Sequence, residues 1–435
     1  MGINYYNKKV ECASREELDS IQLEGLKRAV ELALNSDYYG KKLPESGITS
    51  SDDIKSLDDL KRLPFTKKND LRDSYPYGFL AVDRSDVVRM HASSGTTGTP
   101  TTIYLTAEDL DRSTEILCRS LAGTGASSED VFQNMMTYGL FTGGIMLHYG
   151  AEKLGMMVIP VSSGNTARQF KMMKDFQTTA IHATPSYMLY LYSKMEELGI
   201  KRSDLALKRG YVGAEPHSED VRKKIENLWD IDIYNCYGLS EMNGPGLAFE
   251  CSYKDGLHVW EDSYIPEIIN PDTLEPVKEG EYGELVLTIL HRDAMPILRY
   301  RTRDLTRFIP GKCRCGRLHR RIDRIKGRSD DMLIINGVNV FPSQIEEVIM
   351  RMPEVGTNYL IIAQKSGPLD KLIVKTEVTK DVITDDTRDL YSLKARIAEN
   401  LKTSIFINPV VELHEQGSLP VSEGKAKRVI DERNE

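Results

Sequence analysis

Ser93-Ser-Gly-Thr-Thr-Gly-Thr-Pro-Thr101 is the most informative stretch in this chain of 435 residues. It comes directly after a predicted strand at residues 87–90. Its two glycines let the main chain approach an anion, and its hydroxyl groups can donate to phosphate oxygens. No Gly-Lys-Ser/Thr follows, so this is not a Walker A loop. The run predicts a phosphate-binding loop, and a Ser/Thr/Gly surface turn is the alternative.

Short β-rich runs alternate with helical stretches around and beyond this loop. The β-rich runs are residues 87–90, 156–161, 179–183, 210–213 and 231–237, and the helical stretches include residues 108–121 and 187–198. Such alternation predicts parallel α/β layers, in which ligands bind at the carboxyl ends of the strands.

The two ends of the chain differ from this α/β part. Residues 14–35 have the pattern of an amphipathic helix that begins with a capping box of Ser14 and Glu17. Strand patterns follow residue 271, at 284–290 and 297–300, and again at 359–363, 372–378 and 410–414, where Leu390, Leu393, Ile397 and Leu401 form one helix face. We therefore expect a large N-terminal domain of residues 1–329 and a small C-terminal α+β domain of residues 330–435. The large domain would include a helical arm at about 1–86 and a strand-rich subdomain at about 250–329.

The composition excludes several classes of function. Lys and Arg number 57 against 65 Asp and Glu, and the net charge of −8 leaves no basic surplus for nucleic acid or an anionic membrane. The first thirty residues lack the apolar core of a signal peptide, and the most apolar stretch, at 143–161, is interrupted by charges. We expect a soluble cytoplasmic protein with neither a nucleic-acid nor a membrane partner.

Three of the six cysteines and one of the eight histidines fall into two closely spaced pairs. Cys313 and Cys315 form a C-x-C pair, and Cys251 with His258 forms a C-x₆-H pair. Three thiolates and one imidazole are a donor set that suits structural zinc, with His319 as a reserve ligand. The alternative is two loops that carry free thiols.

Four further stretches follow the phosphate-loop candidate in a fixed order. They are Tyr237-Gly-Leu-Ser-Glu241, Tyr300-Arg-Thr-Arg-Asp304, Gly327-Arg-Ser-Asp-Asp-Met-Leu-Ile-Ile-Asn-Gly337 and Pro420-Val-Ser-Glu-Gly-Lys425. With them, residues 64–430 resemble the adenylate-forming acyl-CoA ligase superfamily. Local signatures of its phenylacetate-CoA ligase branch are Tyr138-Gly-Leu-Phe-Thr-Gly-Gly144, Gly213-Ala-Glu-Pro216 and Gly337-Val-Asn-Val-Phe-Pro342.

The resemblance implies an ATP-dependent acid–thiol ligase. A carboxylate, phenylacetate or a related aryl acid, would attack the α-phosphorus of ATP, pyrophosphate would leave, and the thiol of CoA would displace AMP. It also implies Mg²⁺ and a homodimer. An adenylating enzyme that passes its acyl group to a carrier protein and a non-catalytic nucleotide-binding protein are the alternatives.

The resemblance further implies roles at the nucleotide. The loop residues Ser93, Ser94, Gly95, Thr96, Thr97 and Gly98 would wrap the β- and γ-phosphates, and Gly213, Ala214, Glu215, Pro216, Tyr237 and Gly238 would border the adenine. Asp304 would accept hydrogen bonds from both ribose hydroxyls. Glu241 would hold Mg²⁺, unless it is only a helix-start acid, and Tyr237 could be only a packed aromatic. Many relatives have a lysine after the proline of the loop, whereas here Thr101 follows Pro100.

The remaining roles that the resemblance implies concern the motion of the small domain and the binding of the carboxylic acid. Lys425 would reach the attacking carboxylate and the α-phosphate, carried by a domain that rotates about a hinge at Asp330; the alternative is a solvated lysine. Arg328 would contact ribose or phosphate, and Gly337 would let the pantetheine arm of CoA pass. Tyr138, Phe141 and Gly143 would line the acyl pocket, although aromatics there could be ordinary core.

Overall fold

The computed structural model describes residues 3–93, 99–366, 369–379, 382, 387–420 and 428–433. The N-terminal part is helical, with α1 (Lys8–Glu11), α2 (Arg15–Ala33), α3 (Tyr39–Glu45) and α4 (Lys68–Asp73). The helix predicted at 14–35 is confirmed as α2. The Ser14 hydroxyl accepts a hydrogen bond of 3.2 Å from the Glu17 N–H, and the Glu17 carboxylate accepts one of 2.7 Å from the Ser14 N–H. This capping box fixes where α2 begins.

A hairpin and a parallel sheet follow the arm. The hairpin is β1 (Arg89–Ala92) and β2 (Thr102–Leu105), which flank the phosphate-loop candidate. The parallel strands are β3 (Val131–Asn134), β4 (Met157–Ile159), β5 (Ala180–Ala183), β6 (Arg209–Gly213) and β7 (Asp232–Leu239), and the helices are α5 (Ala107–Gly123), α6 (Thr142–Lys153), α7 (Thr166–Asp175), α8 (Pro185–Glu197) and α9 (Glu219–Trp229).

A strand-rich part completes the large region. Its strands are β8 (Gly244–Glu250), β9 (Leu257–Val259), β10 (Tyr264–Ile269), β11 (Gly283–Ile289), β12 (Tyr300–Thr306), β13 (Phe308–Ile309), β14 (Arg321–Ile322) and β15 (Gly327–Arg328). In the described chain, one nine-stranded sheet has the order β13-β14-β9-β8-β7-β6-β5-β3-β4, and a four-stranded sheet has the order β10-β11-β12-β15. The carboxyl ends of β3, β5, β6 and β7 therefore lie at one edge, as parallel strands require.

The predicted strand at 297–300 is wrong. Ile297 and Leu298 are fully buried, which explains the apolar pattern, but Arg299 has a φ of 44° and interrupts the extended backbone. β12 consequently starts at Tyr300, so the Asp304 motif lies inside a strand.

The C-terminal part is α+β, as predicted. It contains β16 (Leu333–Ile335), β17 (Val338–Val340), α10 (Pro342–Met350), β18 (Val355–Ser366), β19 (Leu369–Val378), α11 (Thr387–Ile405), β20 (Val410–His414) and β21 (Val429–Asp431). A four-stranded sheet has the order β20-β19-β18-β21. The three predicted strands fall within β18, β19 and β20, and the predicted helix face lies on α11.

The C-terminal part packs against α9 of the large region. Ile225 of α9 shares a buried apolar cluster with Ile345 and Ile349 of α10. The Lys224 ammonium donates a hydrogen bond of 2.9 Å to the Val355 carbonyl, and Arg351 and Asp220 form an ion pair of 2.7 Å. These contacts hold the C-terminal part beside the edge where the strands end. Among the described helices, none combines the length and apolar character needed to cross a bilayer.

Candidate functional site

A cavity of about 560 Å³ opens at the carboxyl ends of β3, β5, β6 and β7. This volume lies within the range of small-molecule sites. Predicted site residues that line it are Ser93, Phe141, Gly143, Gly213, Ala214, Glu215, Pro216, Tyr237, Gly238, Asp304 and Arg328. The structure thus brings together Asp304, Arg328 and the residues predicted to border the adenine with two of those predicted for the acid.

Asp304 lies in one wall of the cavity, bonded to an aromatic and a cationic side chain. The Tyr237 hydroxyl donates a hydrogen bond of 2.5 Å to Asp304 Oδ2, and Arg328 Nη1 donates to Oδ1 over 3.4 Å. Burial, and then the nearby Asp304 carboxylate, raise the pKa of Tyr237 well above its ordinary value of 10. Tyr237 is therefore a neutral donor, and the carboxylate is held in one orientation with acceptor oxygens at the cavity.

The wall of residues 213–216 approaches the next strand closely. A Cβ on Gly213 would lie 2.3 Å from the Cys236 carbonyl oxygen, so only glycine fits there. Ala214 follows with a φ of 67°, a left-handed conformation. The Glu215 carboxylate accepts hydrogen bonds from the N–H (3.2 Å) and hydroxyl (2.9 Å) of Ser186 at the start of α8. These contacts give the wall a fixed backbone path.

Glu241 is buried at the edge of the cavity, next to the lining residue Ser240. Its Oε1 lies 3.8 Å from the Lys68 ammonium of α4. Burial, and then the Glu241 carboxylate, raise the pKa of Tyr300 well above 10. Carboxylate oxygens are ligands that a hard cation such as Mg²⁺ takes, so the residue type at this position suits the predicted role.

Tyr138 lies behind the cavity wall, in contrast to the expectation that it lines the acyl pocket. Its hydroxyl accepts a hydrogen bond of 2.9 Å from Asn134 Nδ2 and lies 3.0 Å from His148 Nδ1. His148 Nε2 in turn lies 2.8 Å from Glu152 Oε1. These partners on β3 and α6 hold the Tyr138 hydroxyl away from the cavity, and Phe141 and Gly143 provide the lining instead.

The other predicted residues either fall outside the described part of the chain or do not line the cavity. Ser94, Gly95, Thr96, Thr97, Gly98 and Lys425 fall outside the described residues, so their roles stay predictions. Asp330 accepts two hydrogen bonds from Arg328, of 2.8 and 2.9 Å. Gly337 lies in the turn between β16 and β17 with a φ of 81°, away from the cavity lining. A Cβ there would meet nothing within 4 Å.

The sequence favours an interpretation of two histidines here as satisfied polar residues without a role in the site, and it gives no role to one lysine. His182 and His217 line the cavity, and Lys68 approaches Glu241. Because arginine only donates, the 3.1 Å contact from Arg324 makes His217 Nε2 an acceptor, and burial lowers the pKa of His217 to about 3. The position of His182 at the end of a predicted strand was a usable signal. Nothing in the local sequence marks Lys68.

The predicted cysteine and histidine pairs meet in one cluster. Ligand atoms of Cys251, His258, Cys313 and Cys315, all buried, lie within 4.8 Å of one another. The Cys251 and Cys313 sulfurs are 3.7 Å apart, and Cys315 Sγ lies 3.3 Å from His258 Nε2. Zn–S bonds of about 2.3 Å in a tetrahedron place two sulfurs roughly 3.8 Å apart, so the donor set fits zinc. The reserve ligand His319 is bonded elsewhere, to the Glu261 N–H and the Val10 carbonyl.

Comparisons with known proteins agree over nearly the full chain. A family model described as AMP-binding enzyme matches residues 33–288, and one described as AMP-binding enzyme C-terminal domain matches residues 337–433. The phenylacetate-coenzyme A ligase of Thermus thermophilus is 43% identical, over 98% of this chain and 99% of its own length. The phenylacetate-coenzyme A ligase of Escherichia coli is 45% identical, over 98% of this chain and 97% of its own length.

Solved structures add the arrangement of the two parts. A 2-hydroxyisobutyryl-CoA ligase in the postadenylation state, in complex with R3-HIB-AMP, superposes with a TM-score of 0.93 at 26% identity, covering 99% of this chain and 93% of its own. The same enzyme in the thioesterification state, in complex with 2-HIB-AMP and CoA, superposes with a TM-score of 0.73 at 27% identity. This match also covers 99% of this chain and 93% of its own. Because the full-length relatives and the AMP-binding family models agree, the chain belongs to the phenylacetate-coenzyme A ligase family of AMP-binding enzymes.

Proposed function

We propose that this chain activates an aryl carboxylic acid, phenylacetate or a close relative, with ATP and transfers the acyl group to CoA. The carboxylate oxygen attacks the α-phosphorus and pyrophosphate leaves; the CoA sulfur then attacks the acyl carbon and AMP leaves. The observation that carries the proposal is that Asp304 with Tyr237 and the pair Phe141 and Gly143 line one cavity. A nucleotide and an acid bound there would be in contact.

The nucleotide would be held by the oriented carboxylate of Asp304 and by main chain that approaches the adenine closely. Asp304 would accept from the ribose hydroxyls, with Arg328 beside it at 3.4 Å. The wall of residues 213–216 and the ring of Tyr237 would enclose the adenine. The loop Ser93–Gly98 would wrap the β- and γ-phosphates, as its hydroxyls and glycines favour.

The leaving pyrophosphate requires positive charge where negative charge develops. Glu241 would hold Mg²⁺, which when bound neutralises phosphate charge. Lys68 is a second cation at the same place, because its ammonium already lies 3.8 Å from Glu241. Residues 93–101 contain no lysine or arginine, so the loop supplies no cation of its own.

The two half-reactions would use two arrangements of a large domain (1–329) and a small domain (330–435) about Asp330. Lys425 would donate to the carboxylate and the α-phosphate in the first, and Gly337 would face the CoA arm in the second. The higher TM-score to the postadenylation state, 0.93 against 0.73, supports an arrangement that belongs to the first. The position of Gly337 outside the cavity lining is consistent with it.

The cysteine cluster would hold a structural zinc ion. The first support for this is that the four donor residues are buried together. The second is that the N-terminal segment packs on them. The Tyr5 hydroxyl donates a hydrogen bond of 2.7 Å to the Cys315 carbonyl, and Arg317, next to the cluster, forms a buried ion pair with Glu11. Zinc would therefore tie the helical arm to the strand-rich part. A cytoplasmic setting, supported by six free cysteines, and a homodimer, supported by the family resemblance, complete the proposal.

Pyrophosphate release measured with a panel of carboxylic acids tests the proposal. Release should require Mg²⁺ and an aryl acid, and AMP with a CoA thioester should accumulate when CoA is added. Transfer to a carrier protein without reaction of CoA would favour the alternative acceptor, which the full-length CoA ligase relatives do not favour. The absence of pyrophosphate release with every aryl acid would overturn the proposal.

A further inference from the structure

A chain of hydrogen bonds behind the cavity wall fixes the amide of Asn134 at the end of β3. Asn134 Nδ2 donates to the Gly144 carbonyl (2.7 Å) and to the Tyr138 hydroxyl (2.9 Å). Its Oδ1 accepts from the Met136 N–H at 3.2 Å. Because a carbonyl cannot donate and an N–H cannot accept, these partners determine which end of the amide is oxygen.

The fixed amide determines the tautomer of His182 on the neighbouring strand. His182 Nδ1 lies 3.2 Å from Asn134 Oδ1, so Nδ1 carries the hydrogen. Burial also lowers the pKa of His182 to about 3, so the imidazole is neutral. In a neutral ring with Nδ1 protonated, Nε2 has a lone pair and is a hydrogen-bond acceptor.

His182 lines the cavity together with apolar side chains. Near it on β3, β5 and the following segments the lining residues are Met135, Met136, Phe141, Gly143 and Tyr187. Since Nδ1 is bonded to Asn134, Nε2 is the nitrogen left for the cavity. A polar group of fixed position beside apolar side chains is the arrangement by which small-molecule sites fix orientation and specificity.

We propose that His182 is a specificity-determining residue that accepts a hydrogen bond from the acid substrate, and that the preferred acid is an arylacetate with a hydroxyl group on its ring. This inference rests on the proposed function and makes its substrate class narrower. An acid without such a donor would leave a buried acceptor unpaired, which costs binding free energy. Phenylacetate would therefore be a substrate, but not the best one.

The test compares hydroxyphenylacetates with fluorophenylacetates that carry the substituent at the same ring position, because fluorine is of similar size and cannot donate. In the wild-type enzyme, kcat/KM should be about five- to tenfold higher for one hydroxylated isomer than for its fluorinated match. His182→Leu should reduce this ratio to within about twofold, and His182→Gln, whose amide oxygen can accept, should keep part of it.

Two outcomes overturn the inference: no hydroxylated isomer exceeds its fluorinated match, or His182→Leu keeps the wild-type ratio. If His182→Leu does not fold, nitrogen NMR of the wild-type protein with labelled histidine decides. The His182 Nε2 signal should move when the hydroxylated acid binds and stay in place with phenylacetate; equal shifts would contradict the proposal. Failure of the proposed function is distinguishable, since it would abolish pyrophosphate release with all of these acids.

Discussion

The Tyr237 hydroxyl donates a hydrogen bond of 2.5 Å to Oδ2 of Asp304, the carboxylate expected to accept from both ribose hydroxyls. One acceptor oxygen is thus occupied by the protein itself. A ribose that binds there must displace the phenol or share the oxygen with it. The two side chains therefore have opposite expected effects on nucleotide affinity.

Asp304→Ala should weaken ATP binding about a hundredfold, because hydrogen bonds to a charged group contribute roughly 1.5 to 3 kcal/mol each. Tyr237→Phe keeps the aromatic ring, frees the carboxylate oxygen and should leave the affinity within about threefold or improve it. Calorimetric titration measures both, with circular dichroism to verify the fold. An equal loss in the two variants would show that the phenol belongs to the ribose site.

Lys68→Ala should lower kcat/KM for ATP about tenfold or more, because it removes the cation 3.8 Å from Glu241 where the loop has none. Lys68→Arg should restore part of the activity. Lys67→Ala is the matched control, a neighbouring exposed lysine, and should stay within about twofold. If Lys68 only competes with the metal, Lys68→Ala would instead lower the Mg²⁺ concentration needed for half-maximal rate, which contradicts a role at the phosphates.

The fold was more predictable than the orientation of single side chains. The periodicity of α2, β5 and β20 is local, and the predicted bounds agree with the structure within a few residues. The sequence pattern does not predict strand β3, because Gln133 and Asn134 are polar residues that are buried there. Their hydrogen-bond partners are distant in sequence, and Gln133 Nε2, for example, donates a hydrogen bond of 2.8 Å to the Gln169 amide oxygen. A hydropathy pattern cannot detect such pairing.

The same dependence on contacts between distant residues explains which side chains of the site could be predicted from the sequence. The quartet of Cys251, His258, Cys313 and Cys315 was predictable because these residue types have few other combined uses, and their ligand atoms lie together as predicted. Tyr138 was placed in the acyl pocket because it belongs to a motif, but motif membership does not determine side-chain direction. Its hydroxyl is held by Asn134 and His148, and neither contact is visible in the spacing of the sequence.

Glu346 should make the packing of the C-terminal part on α9 dependent on pH. Its carboxyl accepts hydrogen bonds from the Ser218 N–H (3.2 Å) and the Tyr359 hydroxyl (2.9 Å). Burial raises its pKa from 4.5 to about 7, while Arg428, whose guanidinium lies over the Tyr359 ring, lowers it and Glu215 raises it. A raised native pKa means that the protonated form is favoured by folding. The contribution of Glu346 to the free energy of unfolding is therefore complete below the carboxyl pKa of the unfolded chain, about 4.5. It decreases as the pH rises through the native pKa of about 7, and above that pH the loss is constant.

Thermal unfolding between about pH 5 and pH 8 measures this effect. The melting temperature of the wild type should fall relative to that of Glu346→Gln, which cannot ionise, as the pH rises. Glu347→Gln, one position along α10, is the control and should follow the wild type. A constant difference between wild type and Glu346→Gln across this range would contradict the raised pKa.

Zinc removal should loosen the N-terminal arm before it unfolds the rest. The purified protein should contain about one zinc ion per chain, and Cys315→Ser should lose it and melt at a lower temperature. Proteolysis should then occur first near Tyr5, whose hydroxyl is bonded to the Cys315 carbonyl at 2.7 Å. Cys118→Ala, a buried thiol outside the cluster, should retain the metal. A content below about 0.2 zinc per chain after purification without chelators would remove the proposal.

Gly337→Ala should separate the two half-reactions. In this arrangement a Cβ at Gly337 meets nothing within 4 Å, so pyrophosphate release should stay within about twofold of wild type. In the second arrangement the added methyl group would obstruct the CoA arm, and thioester formation should slow about tenfold or more. Stopped-flow or quenched assays of each step with the same acid measure the two rates.

The control must have the same backbone cost, because a φ of 81° is unfavourable for alanine by about 1 kcal/mol or more wherever it occurs. Gly47 has a φ of 73° with nothing within 4 Å and lies in the N-terminal arm. Gly47→Ala should lower the melting temperature by a similar amount and leave both half-reactions unchanged. If Gly337→Ala slowed adenylation as much as thioester formation while Gly47→Ala slowed neither, Gly337 would act in the first step, and the proposed passage for CoA would be wrong.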